Sequence, residues 1–134
     1  MSVEIQIKQF LEAEGFGVVG ASADRNKYGN KVLRCYQMNG LKVLPVNPAQ
    51  NEIEGLKCVA SVSALPDFVA SISIITPQSV TEKVVELAIA RGIKNIWMQP
   101  GAESKSAIRR CVESGVNVIA DGSCILVVLG YREY

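Results

Sequence analysis

No histidine occurs anywhere in the 134 residues, and that absence removes whole classes of chemistry. Ser-His-Asp and Cys-His arrangements both need an imidazole to take the nucleophile's proton, so neither can be built here and no catalytic residue is assigned. Cysteine occurs four times, as Cys35, Cys58, Cys111 and Cys124. No C-x-x-C pair is among them and no histidine can join them, so reduced thiols are expected and a zinc site is not. No apolar run approaches the roughly 20 residues of a membrane span. The opening Ser2-Val3-Glu4-Ile5-Gln6 alternates polar and apolar residues where a secretory signal would be continuously apolar. A cytoplasmic protein without a membrane partner is expected. An excess of one charge is missing too: 14 Lys and Arg against 13 Asp and Glu leave a net charge of +1, which gives no global field for nucleic acid. Any anion site must be local.

What is present is ordinary globular material, 49% hydrophobic and 20% charged, at a length expected to fold as one domain over residues 1–134. Val3, Ile7, Phe10 and Leu11 recur at helical spacing, so residues 3–14 read as an amphipathic helix that Gly15 can cap. Phe16 to Gly20 reads as a buried first strand feeding a tight turn, residues 29–39 as a helix ending at Gly40, and Lys42 to Val46 as a second strand. Glu52 to Gly55 reads as a loop or one turn. Strand 71–75, helix 78–91, strand 94–98, helix 103–114 and strand 116–120 follow in alternation, punctuated by Gly92, Gly101 and Gly115. The tail 122–130 is apolar enough for a sixth strand or a short helix, and periodicity leaves both open. The alternation predicts an α/β fold: a Rossmann-like, doubly wound parallel sheet of about five strands with helices on both faces.

Ligands of such sheets bind beyond the carboxyl ends of the strands. The residues expected there are Gly20, Ala21, Ser22, Asp24, Arg25, Lys27, Tyr28 and Gly29 after strand one, Asn47 and Pro48 after strand two, and Thr76 and Pro77 after strand three. Gln99, Pro100 and Gly101 follow strand four, and Asp121, Gly122 and Ser123 strand five. Gly15-x-Gly17-x-x-Gly20 matches a dinucleotide fingerprint, yet its first two glycines precede or lie in the strand, which makes it a decoy. The phosphate-loop candidate is Gly20 to Gly29, with a helix N-terminus behind it and Arg25 and Lys27 adding positive charge. The position that usually carries an acidic residue for a ribose in NAD-binding domains is Asn47, which weakens that reading. Pro48 and Pro77 together can wall an adenine ring. Trp97 is assigned to the core, the stripe Val80, Val84, Val85, Leu87, Ala88 to a helix face packed on the sheet, and Asp24, Glu103 and Asp121 to solvated loops.

Gly20-Ala-Ser-x-Asp-Arg-x-Lys-Tyr-Gly, Val43-Leu-Pro-Val-Asn-Pro48, Ile74-Ile-Thr-Pro77 and Ile96-Trp-Met-Gln-Pro-Gly-Ala102 occur in this order and spacing. In them the chain resembles the stand-alone CoA-binding domain family, whose fold is similar to the nucleotide-binding domain of the succinyl-CoA synthetase α subunit. The resemblance runs from about Gly15 to about Asp121. It implies a pocket for coenzyme A in which Gly20, Ser22, Arg25, Lys27, Tyr28 and Gly29 hold the pyrophosphate and Asn47 and Pro48 line the ribose. Thr76 and Pro77 would flank the adenine, and Gln99, Pro100 and Gly101 would face the pantetheine arm. Family members commonly carry a basic residue after the Asp that ends the last strand, whereas Asp121 here precedes Gly122-Ser123-Cys124. Cys124, with Cys35 as a second candidate, could form a mixed disulfide with the CoA thiol, the competing assignment being an inert thiol. The resemblance thus implies a CoA or acyl-CoA binding protein without catalysis of its own. An NAD(P)- or flavin-binding domain of an oxidoreductase and a fold-only interaction module stay open beside it, as does homo-oligomer formation.

Overall fold

The structure is a computed structural model that describes residues 1–133. Helix α1 (Val3–Leu11) starts at Ser2, whose hydroxyl accepts from the Ile5 N–H at 3.4 Å, and its buried residue is Phe10. It ends at Glu12, well before Gly15. That glycine is no helix cap but the first residue of strand β1 (Gly15–Val19), where a Cβ would lie 2.5 Å from the Phe68 ring. All five β1 positions are buried, as an apolar central strand of a parallel sheet requires. Helix α2 (Tyr28–Met38) and strand β2 (Val43–Val46) complete the first βαβ unit.

Residues 52–57, expected to be a loop or one turn, form a two-stranded antiparallel hairpin of β3 (Glu52–Ile53) and β4 (Leu56–Lys57). Its two turn residues, Glu54 and Gly55, both have positive φ (50° and 78°), the geometry of a tight primed hairpin turn. Strands of two residues are too short to show an alternation. A 3-10 turn (Val62–Ala64) leads into β5 (Val69–Ile74), followed by α3 (Gln78–Arg91), β6 (Asn95–Met98), α4 (Lys105–Glu113) and β7 (Asn117–Ile119). The tail is a short helix, α5 (Ile125–Val128), with buried Ile125 packed in the same cluster as α2.

Five parallel strands stand in the order β2-β1-β5-β6-β7. The chain moves outward from β1 to β2, then returns to the other side of β1 with β5, so the order reverses between β1 and β5. One face carries α1, α2 and α5: Phe10, Leu33, Tyr36 and Ile125 meet Phe16, Val18 and Trp97 there. The other carries α3 and α4, whose Val84, Val85, Ala88, Ala107 and Cys111 meet Ile72, Ile74, Ile96 and Met98. Along β6 the alternation sends Trp97 to the first face and Ile96 and Met98 to the second. On the first face Phe10 meets Trp97 edge-on at 5.2 Å and Phe16 stacks on Tyr36 at 5.0 Å. Among the described residues no helix is long and apolar enough to cross a membrane.

Candidate functional site

Three contiguous depressions lie along the carboxyl rim of the sheet, over the reversal between β1 and β5. The first is a slot of about 250 Å³ whose apolar walls are Pro48, Val62, Val80, Val84 and Leu87, with Thr76 at its edge. The second, of about 480 Å³, is more polar and is lined by Gly20, Ala21, Ser22, Lys27, Tyr28, Gly29, Asn47 and Ile75. The third, of about 340 Å³, lies between Thr76, Pro77, Pro100 and Gly101. Gly20, Ala21 and Asn47 are common to the first two, and Thr76 and Ile75 join the third to them.

Two glycines make the polar depression possible. Gly20 leaves β1 at φ +95°, and a Cβ there would sit 1.9 Å from the Ile75 carbonyl oxygen. Gly29, in the first turn of α2, would place its Cβ 2.0 Å from the Gly20 carbonyl oxygen. The helix therefore starts backbone to backbone against the strand exit. Between them the loop is internally braced: Ser22 Oγ accepts from the Asp24 N–H at 3.1 Å and Asp24 Oδ1 from the Asn26 N–H at 2.9 Å. Lys27 is the N-cap residue, and among the described residues no side chain caps α2. The first N–H groups of the helix are left with the positive end of its dipole and the adjacent Lys27 ammonium, a combination suited to an anion.

Asn47 acts as a clamp. Its Oδ1 accepts from the Ala49 and Gln50 N–H groups at 2.7 and 3.1 Å, and its Nδ2 donates to the Ala21 carbonyl at 3.0 Å. The amide thus ties the β2 exit to the β1 exit. Asn47→Asp keeps both acceptor bonds but sets a carboxylate oxygen against a carbonyl. A loss of about 1–3 kcal/mol is expected, read as a lower urea midpoint with an unchanged slope; an unchanged midpoint would mean that the clamp carries no load.

Most of the rim residues expected from sequence come together here, but Asp24, Arg25, Gln99, Asp121, Gly122 and Ser123 do not line the groove. Arg25 is turned outward: its Nε lies 3.3 Å from Glu54 Oε2 on the hairpin turn, with 65% of the side chain exposed. Glu54 also accepts from Asn30 Nδ2 at 3.0 Å, which makes it the partner that draws Arg25 away. Gln99 is fully buried beneath the rim, where its Oε1 accepts from the Tyr28 hydroxyl at 3.2 Å and the Ile125 N–H at 3.0 Å. Its Nε2 has no partner among the described residues. Pro48 lines the apolar slot and Pro77 the third depression.

The apolar slot itself was not foreseen. Val85 and Ala88 of α3 do pack on the sheet, yet Val80 and Leu87 are 40% and 44% exposed and wall the slot. The available signal was the stripe's width, since five apolar positions exceed what one sheet face covers. The carboxylates stay in their own turns: Asp121 Oδ1 accepts from the Ser123 N–H at 3.1 Å and Glu103 Oε1 from the Gly101 N–H at 2.7 Å. The Ser123 hydroxyl bond is the main cause that holds the Asp121 carboxyl below its usual range. Of the thiols, Cys35 and Cys111 are fully buried, and burial is the main cause that lifts each to about 11. Cys124 is half-buried, with its sulfur against the Tyr28 hydroxyl.

The sequence profile described as "CoA binding domain" matches residues 15–130. The α subunit of acetate–CoA ligase [ADP-forming] II from Pyrococcus furiosus is 29% identical over 111 residues, which cover 78% of this chain and 24% of that protein. The uncharacterised protein YneT of Bacillus subtilis is 27% identical over 123 residues, covering 91% of this chain and 90% of its own length. A solved structure of a conserved hypothetical protein from Pyrococcus furiosus superposes with a TM-score of 0.82 at 43% identity, over 86% of this chain and 98% of that one. The chain spans about a quarter or less of the length of the ligases it matches.

Proposed function

Because this chain belongs to the CoA binding domain family, we propose that it binds coenzyme A or an acyl-CoA in the rim groove and has no catalytic step of its own. The single observation that carries the reading is the division of one continuous groove into an apolar slot and a polar, glycine-built cradle. Those are the two chemistries of an adenosine and a pyrophosphate. The slot between Pro48, Val62, Val80 and Leu87 takes the adenine ring, whose burial is favoured by roughly 25 cal/mol per Å² of apolar surface removed from water. The α2 N-terminus, Ser22 and Lys27 take the diphosphate. The depression beside Pro77, Pro100 and Gly101 receives the pantetheine arm.

Arg25 joins the phosphates only by exchanging its Glu54 partner, so on this reading it adds attraction and on-rate more than fixed geometry. Gln99 acts from below by holding Tyr28. With its Oδ1 already accepting from Ala49 and Gln50, Asn47 offers a ribose none of the acidic acceptors that an NAD site uses.

Thermal and calorimetric titration of the reduced protein with CoA, acetyl-CoA, NAD, NADP and ATP tests the proposal. CoA at about 100 times its dissociation constant is expected to add about 2.7 kcal/mol of stability. Saturable binding of NAD or NADP with a flat CoA response would replace this reading with a nicotinamide site; no response to any of the five would leave an interaction module.

A further inference from the structure

We propose that Cys124 is a thiol-exchange site beside the groove, at which its sulfur takes the pantetheine sulfur from a disulfide of coenzyme A to form a mixed disulfide; this rests on the CoA reading above. Cys35 and Cys111 have no exposed surface, whereas Cys58, just past β4, and Cys124 are both half-buried and neither lines any of the three depressions. Cys124 differs in its neighbour. Its Sγ meets the hydroxyl of Tyr28, the residue that walls the polar depression.

A second, independent observation marks the same cluster. The Ile125 N–H can bond only to an oxygen, which fixes the orientation of the Gln99 amide with Oε1 toward Ile125 and Tyr28. The amide nitrogen, on the side chain whose oxygen holds the Tyr28 hydroxyl, is then left buried and without an acceptor among the described residues. Unpaired buried donors are rare in native proteins. This one points to an acceptor that the described residues do not supply, and the amide carbonyls of a pantetheine arm are acceptors of that kind.

The cluster can also manage the thiol's proton. While Cys124 is a thiol, its S–H donates to the Tyr28 oxygen and the Tyr28 hydroxyl donates to Gln99 Oε1. When the thiol ionises, the hydroxyl turns to donate to the sulfur, and Oε1 keeps the Ile125 N–H. Tyr28 is able to do so because burial, with its Cys124 contact, keeps its hydroxyl protonated far above neutral pH.

The reaction partner is a disulfide of CoA. The Cys124 thiolate, its proton released to water, attacks one sulfur of that disulfide. A bond forms between Sγ and the pantetheine sulfur and the original S–S bond breaks. The departing CoA leaves with the electron pair as a thiolate and takes a proton from water. One disulfide is consumed and one is made, so no other oxidant is required.

The test treats the reduced chain with CoA disulfide or glutathione disulfide at equal micromolar concentration and follows adducts by intact mass and peptide mapping. A single CoA adduct at Cys124 is expected, forming on the order of 100-fold faster than the glutathione adduct, because a bound ligand presents its sulfur at millimolar effective concentration. Cys124→Ser should take up no CoA adduct yet keep the calorimetric CoA isotherm. Saturable CoA binding with equal rates for the two disulfides, or with the adduct on Cys58, overturns the thiol site alone. A flat CoA isotherm overturns both this inference and the binding reading beneath it.

Discussion

Replacing Gly29 with alanine is expected to destabilise the protein by about 2–4 kcal/mol, among the larger effects a single methyl group can have. The sign is what makes this informative. In an ordinary helix the same change stabilises by about 0.5–1 kcal/mol, because alanine loses less backbone entropy on folding. Here the new Cβ would lie 2.0 Å from the Gly20 carbonyl oxygen, and the atom in the way is backbone, which cannot rotate aside. Either α2 withdraws from the β1 exit or the Gly20 turn opens, and Gly20 is itself held at φ +95° with Ile75 against it. Both movements distort the cradle. Urea denaturation followed by circular dichroism gives the stability, and calorimetry below the unfolding range gives CoA affinity, which should fall more than tenfold. A neutral or stabilising result would show that the close approach of helix and strand is not needed.

Truncating Trp97 to alanine should cost about 3–5 kcal/mol, the usual range for emptying an aromatic site in a core. Against a typical total of about 5–15 kcal/mol that is a large share. The side chain is fully buried, meets Phe10 edge-on at 5.2 Å, and donates from Nε1 to the Ser123 carbonyl at 2.9 Å. That bond ties β6 to the loop carrying Asp121 and Cys124. Trp97→Phe separates the two contributions: it keeps most of the packing but leaves Ser123 unpaired, and about 1 kcal/mol of loss is expected from the hydrogen bond alone. Trp97 is the one tryptophan of the sequence, so unfolding is followed by far-UV circular dichroism. A loss below about 1 kcal/mol for Trp97→Ala would mean that the first face of the sheet repacks around the void.

The fold was largely legible because its evidence is periodic. Helix α3 falls on the expected residues 78–91, and the strands around Val43, Ile72 and Trp97 lie where their apolar runs predict. The errors fall where periodicity has no length to act on, at the two-residue strands of the hairpin and at Gly15. That glycine has the look of a helix cap, but the Phe68 ring, more than 50 residues away, is the reason it is a glycine. The rim could be read for a different reason: strands that end in Gly, Pro and Asn announce their exits, and in a parallel sheet all exits share one edge.

What the sequence determined by itself is therefore the alternation of strand and helix, the absence of imidazole chemistry, and the collection of Gly20, Gly29, Asn47, Thr76 and Pro100 at a single rim. The tertiary structure decided how that rim is used. It turned Arg25 toward Glu54, sank Gln99 under Tyr28, and opened a slot by leaving Val80 and Leu87 uncovered. The physical reason is range. Backbone conformation and burial pattern are set within a few residues and leave a periodic trace, whereas the direction of a loop side chain is set by whichever distant partner offers the better bond. For Arg25 and Gln99 those partners, Glu54 and Tyr28, lie on other elements and meet them only once the sheet has assembled.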